Sequence, residues 1–525
     1  MAQAIPLACS GLVPAAVVIL VTRATALDTL TPGAMCSVCI FDGTNTRLAT
    51  SMSEDGQLAA SADTGLDYDN ATNVIRVLDT ASEATDGLAS GTLAADVLNL
   101  SWTDLPSTAV QIQVWAFYGP RVQARVGAIA ASTTANATVS VTGLPFRPVA
   151  LIHLGARGGF TQSGANADMH LGLVAFNPDG TVQGEGGYAM RDFDRLALTT
   201  NASEIRDDST GARITGIAEE ERYSVTAGTA DGFDLTTGAN GGIPYAFGYL
   251  ALFTEGRAAV GVIQLPGTSQ STGNKTVSGL GFHSGAVFFI GTNLVAKNPA
   301  TPDNINPCCN WSFGAFIPGV GSSSIGYGCE DAAATSRTNA ATSAVTCIGI
   351  PDAADGTDWA AVGVSAAYDE FVVNVTVASP LDRYLVYLAL EERKAMRSRR
   401  WRTLGRGAQA MRAVTKHVLS RAATRGASYH LKAVARVTRP PARAPRVLTP
   451  LGRRQVNNKG MWVRILRFWE RQRRGMLDRL FIRKRPRRPP PTPERLHGTP
   501  KGSNAYAGSL LGEDAGAGSR KGSTL

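Results

Sequence analysis

The residues that could do chemistry in this chain are scattered rather than gathered. Its six histidines are His153, His170, His283, His417, His430 and His497. No two stand at the spacing that shares one helix face, so no helical metal pair is written here. His153 and His170 could meet across a sheet; the alternative is a satisfied core or edge histidine. The nearest approach to a phosphate loop is Gly267-Thr-Ser-Gln-Ser-Thr-Gly273-Asn274-Lys275-Thr276. Five residues separate its glycines, Asn274 intervenes before the lysine, and a strand-like Thr-Val-Ser follows where a helix N-terminus is needed. No Gly-x-Ser-x-Gly elbow is present.

Carboxylates crowd one region, at Glu204, Asp207, Asp208, Glu219, Glu220 and Glu221, where solvated loops are expected. Glycoside hydrolysis needs two carboxylates facing each other across a cleft, and calcium needs a ligand ladder with its glycine; neither pattern stands out. Trp102, Trp311 and Trp359 lie near expected loops, where they could stack on sugars or pack into a core, the expected role. Seven cysteines leave at least one without a partner in the chain. Cys36-x-x-Cys39 lacks a second pair at metal spacing, while Cys308, Cys309, Cys329 and Cys347 could bridge or act as small buried hydrophobes, the expected role. These residues predict a non-catalytic protein with no cofactor and no metal.

The elements that would position such residues repeat. Tyr249-Leu-Ala-Leu252 and Tyr387-Leu-Ala-Leu390 each follow, by sixteen residues, an aromatic in an acidic turn, Asp231-Gly-Phe233 and Asp369-Glu-Phe371. Val114-Trp-Ala-Phe117 stands at the same interval from Leu98 in Asp96-Val-Leu98. Gly187-Tyr188 matches Gly326-Tyr327, and Phe41, Phe176 and Phe316 each close an apolar run before a turn. Apolar runs open the copies at Ala15–Val21, Val149–Leu154 and Ala286–Ile290, the last two after Gly-Leu-Pro-Phe146 and Gly-Leu-Gly-Phe282. The run near Leu12–Val21 is read as a buried strand rather than a leader or a membrane span, being short and interrupted by Pro14. Apolar and β-branched runs such as Phe371–Val377, with helical periodicity nearly absent, predict strands. The expected fold is mainly β: three tandem antiparallel β-sandwich, jelly-roll-like repeats at 1–126, 127–266 and 267–392. Linkers are expected near Gly127–Ala137 and Gly267–Asn274.

The order Gly-Leu-Pro/Gly-Phe, then an apolar run, a mid-domain Gly-Tyr, an Asp-x-Phe strand and a closing Tyr-Leu-Ala-Leu resembles a repeated β module of tailed-bacteriophage virion structural proteins. The likeness covers roughly 14–391, and the first copy departs most, lacking the Gly-Leu-x-Phe opening and the Gly-Tyr pair. It implies a fibre, spike or capsid decoration protein located in the virion, whose partners are other virion proteins and further copies of itself. The alternative is a cell-surface adhesin or carbohydrate-binding protein meeting a host surface glycan.

Charge divides the chain. Residues 393–525 hold 34 Lys+Arg against five acids, whereas 1–392 hold 17 basic and 37 acidic residues. The basic tail at 393–525 is expected to be partly helical over Met461–Ile482, extended at Arg483–Pro491, and disordered in its last 25 residues. Its candidate contacts for nucleic acid or another anionic partner are Arg397, Arg399, Arg400, Arg402, Arg471, Arg473, Arg474, Arg483, Lys484, Arg485, Arg487 and Arg488. Arginine-rich segments bind phosphates without sequence preference, and a basic helix carrying Trp462 and Trp469 also suits an anionic membrane surface. Docking on the acidic repeats or on a neighbouring subunit is the third expectation.

Overall fold

The computed structural model describes residues 1–392 apart from residue 25 and segments 59–63, 70–71, 80–83, 131–133, 157–161, 165, 194–201, 216–217, 241–245, 266–271, 299–308, 331–334, 352–356 and 380–382. The tail at 393–525, with its expected helix and all of its candidate contacts, lies outside the described residues, as does Cys308.

The described chain is mainly β, in antiparallel sheets. A first set of strands comprises β1 (Ala2–Pro6), β2 (Ala16–Thr22), β3 (Thr29–Pro32), β4 (Ala34–Phe41), β5 (Thr46–Ser53), β6 (Thr64–Asp69), β7 (Asn73–Leu78), β8 (Thr85–Ala94), β9 (Val97–Asp104) and β10 (Gln111–Phe117). The second comprises β11 (Gln123–Ala130), β12 (Thr138–Val141), β13 (Ala150–Ala156), β14 (Gln162–Gly164), β15 (Asn166–Phe176), β16 (Val182–Phe193), β17 (Ala202–Arg206), β18 (Gly211–Thr215), β19 (Ala218–Thr229), β20 (Gly232–Asn240) and β21 (Ala246–Phe253). The third comprises β22 (Ala258–Leu265), β23 (Gly273–Thr292), β24 (Trp311–Ile317), β25 (Gly321–Glu330), β26 (Arg337–Ser343), β27 (Ile348–Pro351), β28 (Thr357–Val377) and β29 (Arg383–Glu391).

One strand order recurs. The larger sheets run β10-β2-β4-β5-β6, β21-β13-β15-β16-β17 and β29-β23-β24-β25-β26. The smaller run β1-β9-β8-β7 and β12-β20-β19-β18, and in the third set the first part of β23 pairs β28, which pairs β27. There β28 turns back on itself at Asp369 (φ 73°), which brings the Thr376 hydroxyl to the Ala360 carbonyl at 3.3 Å. The jelly-roll-like order expected from sequence is corrected by these sheets. Strands adjacent in sequence, such as β4, β5 and β6, are adjacent in space, which makes meanders rather than the two interleaved Greek keys of a jelly roll. The linker expected at Gly127–Ala137 is in part strand: β11 spans the 126/127 boundary and pairs β21.

The apolar runs explain the layering. Every residue of β2 is buried, because successive side chains point to opposite faces and both faces are covered. Val17, Ile19 and Val21 pack against the smaller sheet of their own set through Ile75, Leu98 and Leu100. Ala16, Val18 and Leu20 join a second core, shared by all three larger sheets, with Ile152, Leu171 and Leu250 from the second set and Phe288, Phe313 and Leu388 from the third. Full burial of each Val, Leu, Ile or Phe side chain among these contributes about 1.5–3 kcal/mol, so this shared core ties the sets into one body.

Exchanged segments close the ring. β3 leaves the first set to pair β26 of the third, and β14 leaves the second to pair β6 of the first. Asn298 of the third set (φ 50°) donates its N–H to Ile205 O in β17 of the second at 2.9 Å. Each set thus lends the connection after its first long strand to the outer edge of another, in cyclic order.

Candidate functional site

The largest concentration of buried ionisable groups among the described residues lies inside the second set. Alternation along β13, β15, β16 and β17 decides which side chains enter it. Ile152, Leu171, Met190 and Ile205 face the shared core, so His153, His170, Arg191, Glu204 and Arg206 face the layer between the two sheets. All five are no more than 4% exposed. His153 stacks on Phe247 with centroids 5.2 Å apart, and His170 meets the same ring edge-on at 5.7 Å. The histidines therefore do meet across a sheet, on adjacent strands and as core residues. Glycines make room: a Cβ on Gly155 would come within 2.0 Å of the His170 ring, and one on Gly172 within 2.0 Å of Thr210 O.

Electrostatics follow from burial. Loss of hydration pushes the His153 imidazole down to about 3, and burial together with the neighbouring His153 does the same to His170, so both are neutral at ordinary pH. His153 Nε2 has no hydrogen-bond partner among the described residues. Arg206 donates Nε and Nη2 to Asp208 at 2.8 and 3.1 Å, and Nη1 to Glu204 Oε2 at 3.0 Å. Burial opposes its charge, but the Asp208 bonds and the two carboxylates outweigh it, so the guanidinium is held above its ordinary value. The Asp207 carboxylate bonds Lys297 and the Asn298 side chain of the third set, and its N–H donates to Asn298 Oδ1 at 3.0 Å. Although burial opposes ionisation there as well, Lys297 and Asn298 hold Asp207 below its usual value. On β16, burial lifts Glu185 to about 7 despite bonds from the Val225 N–H and Ser224, with the Asp208 charge adding to the rise.

Solvated loops were the expectation for Glu204, Asp207 and Asp208. Glu204 is instead a strand residue with 1% exposure, and Asp207 fastens the second set to the third. The sequence signal was the alternation Glu204-x-Arg206, which places both on one face of β17, with Asp208 in the bend just beyond it. The arrangement holds charge and seals a joint. It presents no nucleophile hydrogen-bonded to a base, and no group of three His, Cys, Asp or Glu side chains converges as a cation site among the described residues.

The other candidates fall elsewhere. Trp102, Trp311 and Trp359 are buried and so cannot stack on a sugar in this conformation. Cys9, Cys36, Cys39, Cys309, Cys329 and Cys347 are buried free thiols, and burial pushes Cys347 up to about 12. A cleft of about 440 Å³ opens beside Phe176, Phe253 and Arg257. Its arginines are already engaged, Arg147 with the Pro178 and Thr229 carbonyls and Arg257 with Glu391. No protein-family model, curated protein or solved structure matches this chain.

Proposed function

We propose that this chain is a non-catalytic structural protein of a tailed-phage virion, of the fibre, spike or decoration type. In this reading it consists of three copies of one sandwich repeat fused into a pre-assembled trimer. The observation that carries the reading is the cyclic exchange of β3, β14 and Asn298 around a core common to three sheets. Such a body does in one chain what symmetric oligomers do with three, and it resists dissociation because its joints are intramolecular. The acidic repeats project from the particle, and the basic tail anchors them or contacts nucleic acid. The motif likeness at Tyr249–Leu252 and Tyr387–Leu390 supports the class.

The test is particle composition, read by mass spectrometry of purified virions and by immunogold labelling with antibodies to the repeats and to the tail. Peptides from the chain in intact particles, with surface label for the repeats and none for the tail, are expected. Absence of both peptide and label removes the virion reading, and binding of the whole chain to a glycan array then favours a cell-surface adhesin.

A further inference from the structure

The cleft of about 440 Å³ beside Phe176 and Phe253 has a charge left over in its wall. Three ionisable residues line it, Arg147, Glu255 and Arg257. Glu255 accepts from Arg121, and Arg257 donates its backbone N–H and its Nε to Glu391 Oε2 at 2.8 and 3.3 Å. Arg147 meets only uncharged acceptors among the described residues. Its Nε donates to Thr229 O at 3.3 Å and its Nη1 to Pro178 O at 3.0 Å, which leaves the Nη2 hydrogens to the cleft. Asp179, the acid of the adjoining turn, is turned instead to the Thr181 N–H and hydroxyl, at 2.9 and 2.7 Å.

The other two sets show what the second lacks. Ala150, paired with Leu252, corresponds to Ala286 paired with Leu390 and to Ala16 paired with Phe117. Counting back from these, Arg147 corresponds to His283 and Val13; counting forward from the closing strands, Thr254 corresponds to Glu392 and Gly119. In the third set the two positions meet. The Glu392 N–H donates to His283 O at 2.7 Å, and Glu392 Oε2 lies 3.1 Å from His283 Nδ1. The first set has neither the base nor the acid. The second keeps a cation and has Thr254 where the acid would stand. The chain beyond supplies none nearby, since residues 393–469 contain no Asp or Glu.

We propose that this cleft binds a small organic carboxylate, whose acid group takes the place beside Arg147 that the Glu392 side chain holds beside His283. The two carbonyl bonds fix the guanidinium plane in advance, and a charge-assisted bond to a carboxylate is roughly twice as strong as a neutral one. The rest of the wall sets the body of the ligand. Pro148, Phe176, Pro178, Ala230 and Phe253 are apolar, and the Phe253 ring is braced by Phe146 with centroids 6.0 Å apart. A largely apolar cleft with one unmatched charge suits a compact molecule that carries a ring and a single carboxyl group. The site rests on the geometry of the second set alone and is the same whether or not the assembly is a virion.

The test is ligand-observed NMR on the full chain, with phenylacetate as the probe and phenylacetamide as its neutral counterpart. Salt at about 150 mM screens the basic tail. Phenylacetate should bind with a dissociation constant of roughly 1 mM, and the amide about tenfold more weakly. Thr254→Glu gives the second set the acid that the third has, so it should weaken phenylacetate binding by about tenfold while the melting temperature holds or rises. Arg147→Met, which removes the charge, should weaken it as much and keeps the test decisive if the first variant fails to fold. Three outcomes overturn the proposal. In the first, phenylacetate does not bind at about 10 mM. In the second, acid and amide bind equally, so the carboxyl group is not recognised. In the third, a folded variant binds phenylacetate as wild type does, which places the carboxylate elsewhere, as on the arginines of the tail.

Discussion

The second and third strand sets share a backbone plan yet fill it with opposite chemistry. Where His153 stands opposite Gly172, the third set has Phe289 opposite Gly314 and the first has Ile19 opposite Cys39. Glu204 and Arg206 correspond to Ala341 and Ser343, which pair Gly326 and Ser324 in the third set as the former pair Ala189 and Gly187. Phe289, Phe371 and Tyr387 pack edge to face in the third set, while His153, His170 and Phe247 occupy the same layer in the second. A fold held by sheet pairing and a shared core tolerates either filling. What changes is how stability responds to charge and pH.

The most severe way to break the comparison is to remove one partner of the buried pair. Arg206→Met removes the guanidinium that bonds Glu204 Oε2 at 3.0 Å in a buried setting, a loss expected to cost about 3–5 kcal/mol. The double change Glu204→Ala with Arg206→Ser, which copies the third set, should recover much of that loss, because the buried carboxylate is removed together with the guanidinium and Asp208, left behind, is exposed. Urea denaturation of wild type, single and double variants measures it. Equal midpoints for the single and double variants would show that the pairing itself contributes nothing.

A smaller effect separates the sets by pH. Glu185 has its folded value raised from 4.5 to about 7, so the folded state holds more protons than the unfolded state between those limits. Its contribution is therefore fully present below pH 4.5 and is lost as pH rises through 7, on the order of 3 kcal/mol in all. Glu185→Gln should flatten that slope and raise stability at pH 8. The histidines act in the opposite sense. With folded values near 3 against 6.5, they stabilise above pH 6.5, and the contribution falls away as pH drops toward 3. His153→Phe, the residue of the third set, should gain about 2 kcal/mol at pH 5 while changing little at pH 7.5. Thermal melts across pH 4.5–8 read both slopes. Parallel profiles for wild type and variants would remove both assignments.

Much of this plan was legible in the residues. The spacing of Asp231-Gly-Phe233 and Asp369-Glu-Phe371 from their closing Tyr-Leu-Ala-Leu runs marks a turn and two strands that recur in the sheets. Continuous apolar runs such as Ala16–Thr22 signal burial on both faces, although one chain cannot say against what. The cyclic joints were not legible. β3 and β14 are four- and three-residue strands of mixed polarity, Thr-Leu-Thr-Pro and Gln-Ser-Gly, whose pairing depends on partners hundreds or tens of residues away. The first set lacks the full Gly-Leu-x-Phe opening, yet Gly11-Leu12 stands in its place with Pro14 where the phenylalanine would be, and Gly11 has the φ of 83° found at Gly143. Buried charges are hard to read from sequence because composition favours solvent for Glu and Arg, and only the two-residue period of Glu204 and Arg206 argues otherwise.

The least disruptive comparison concerns a polar device that all three sets keep. Asp96, Asp231 and Asp369 stand at the turn before the last strand of each smaller sheet. Their carboxylates accept the Gly11, Gly143 and Gly281 N–H groups at 2.7, 3.4 and 2.5 Å. Asp96 and Asp369 also adopt positive φ, 58° and 73°, a conformation that Asp and Asn tolerate better than alanine. Changing either to Ala removes an acceptor and adds backbone strain, and should cost about 1–2 kcal/mol. Asn should cost less, because it keeps the conformation and a neutral acceptor. Asp231, with its long bond, should lose least on substitution by Ala. Urea midpoints for the three alanine variants should therefore rank Asp231→Ala nearest wild type. If all three lose equally, bond length and φ do not set the strength of this device, and the turn is fixed instead by the strands it joins.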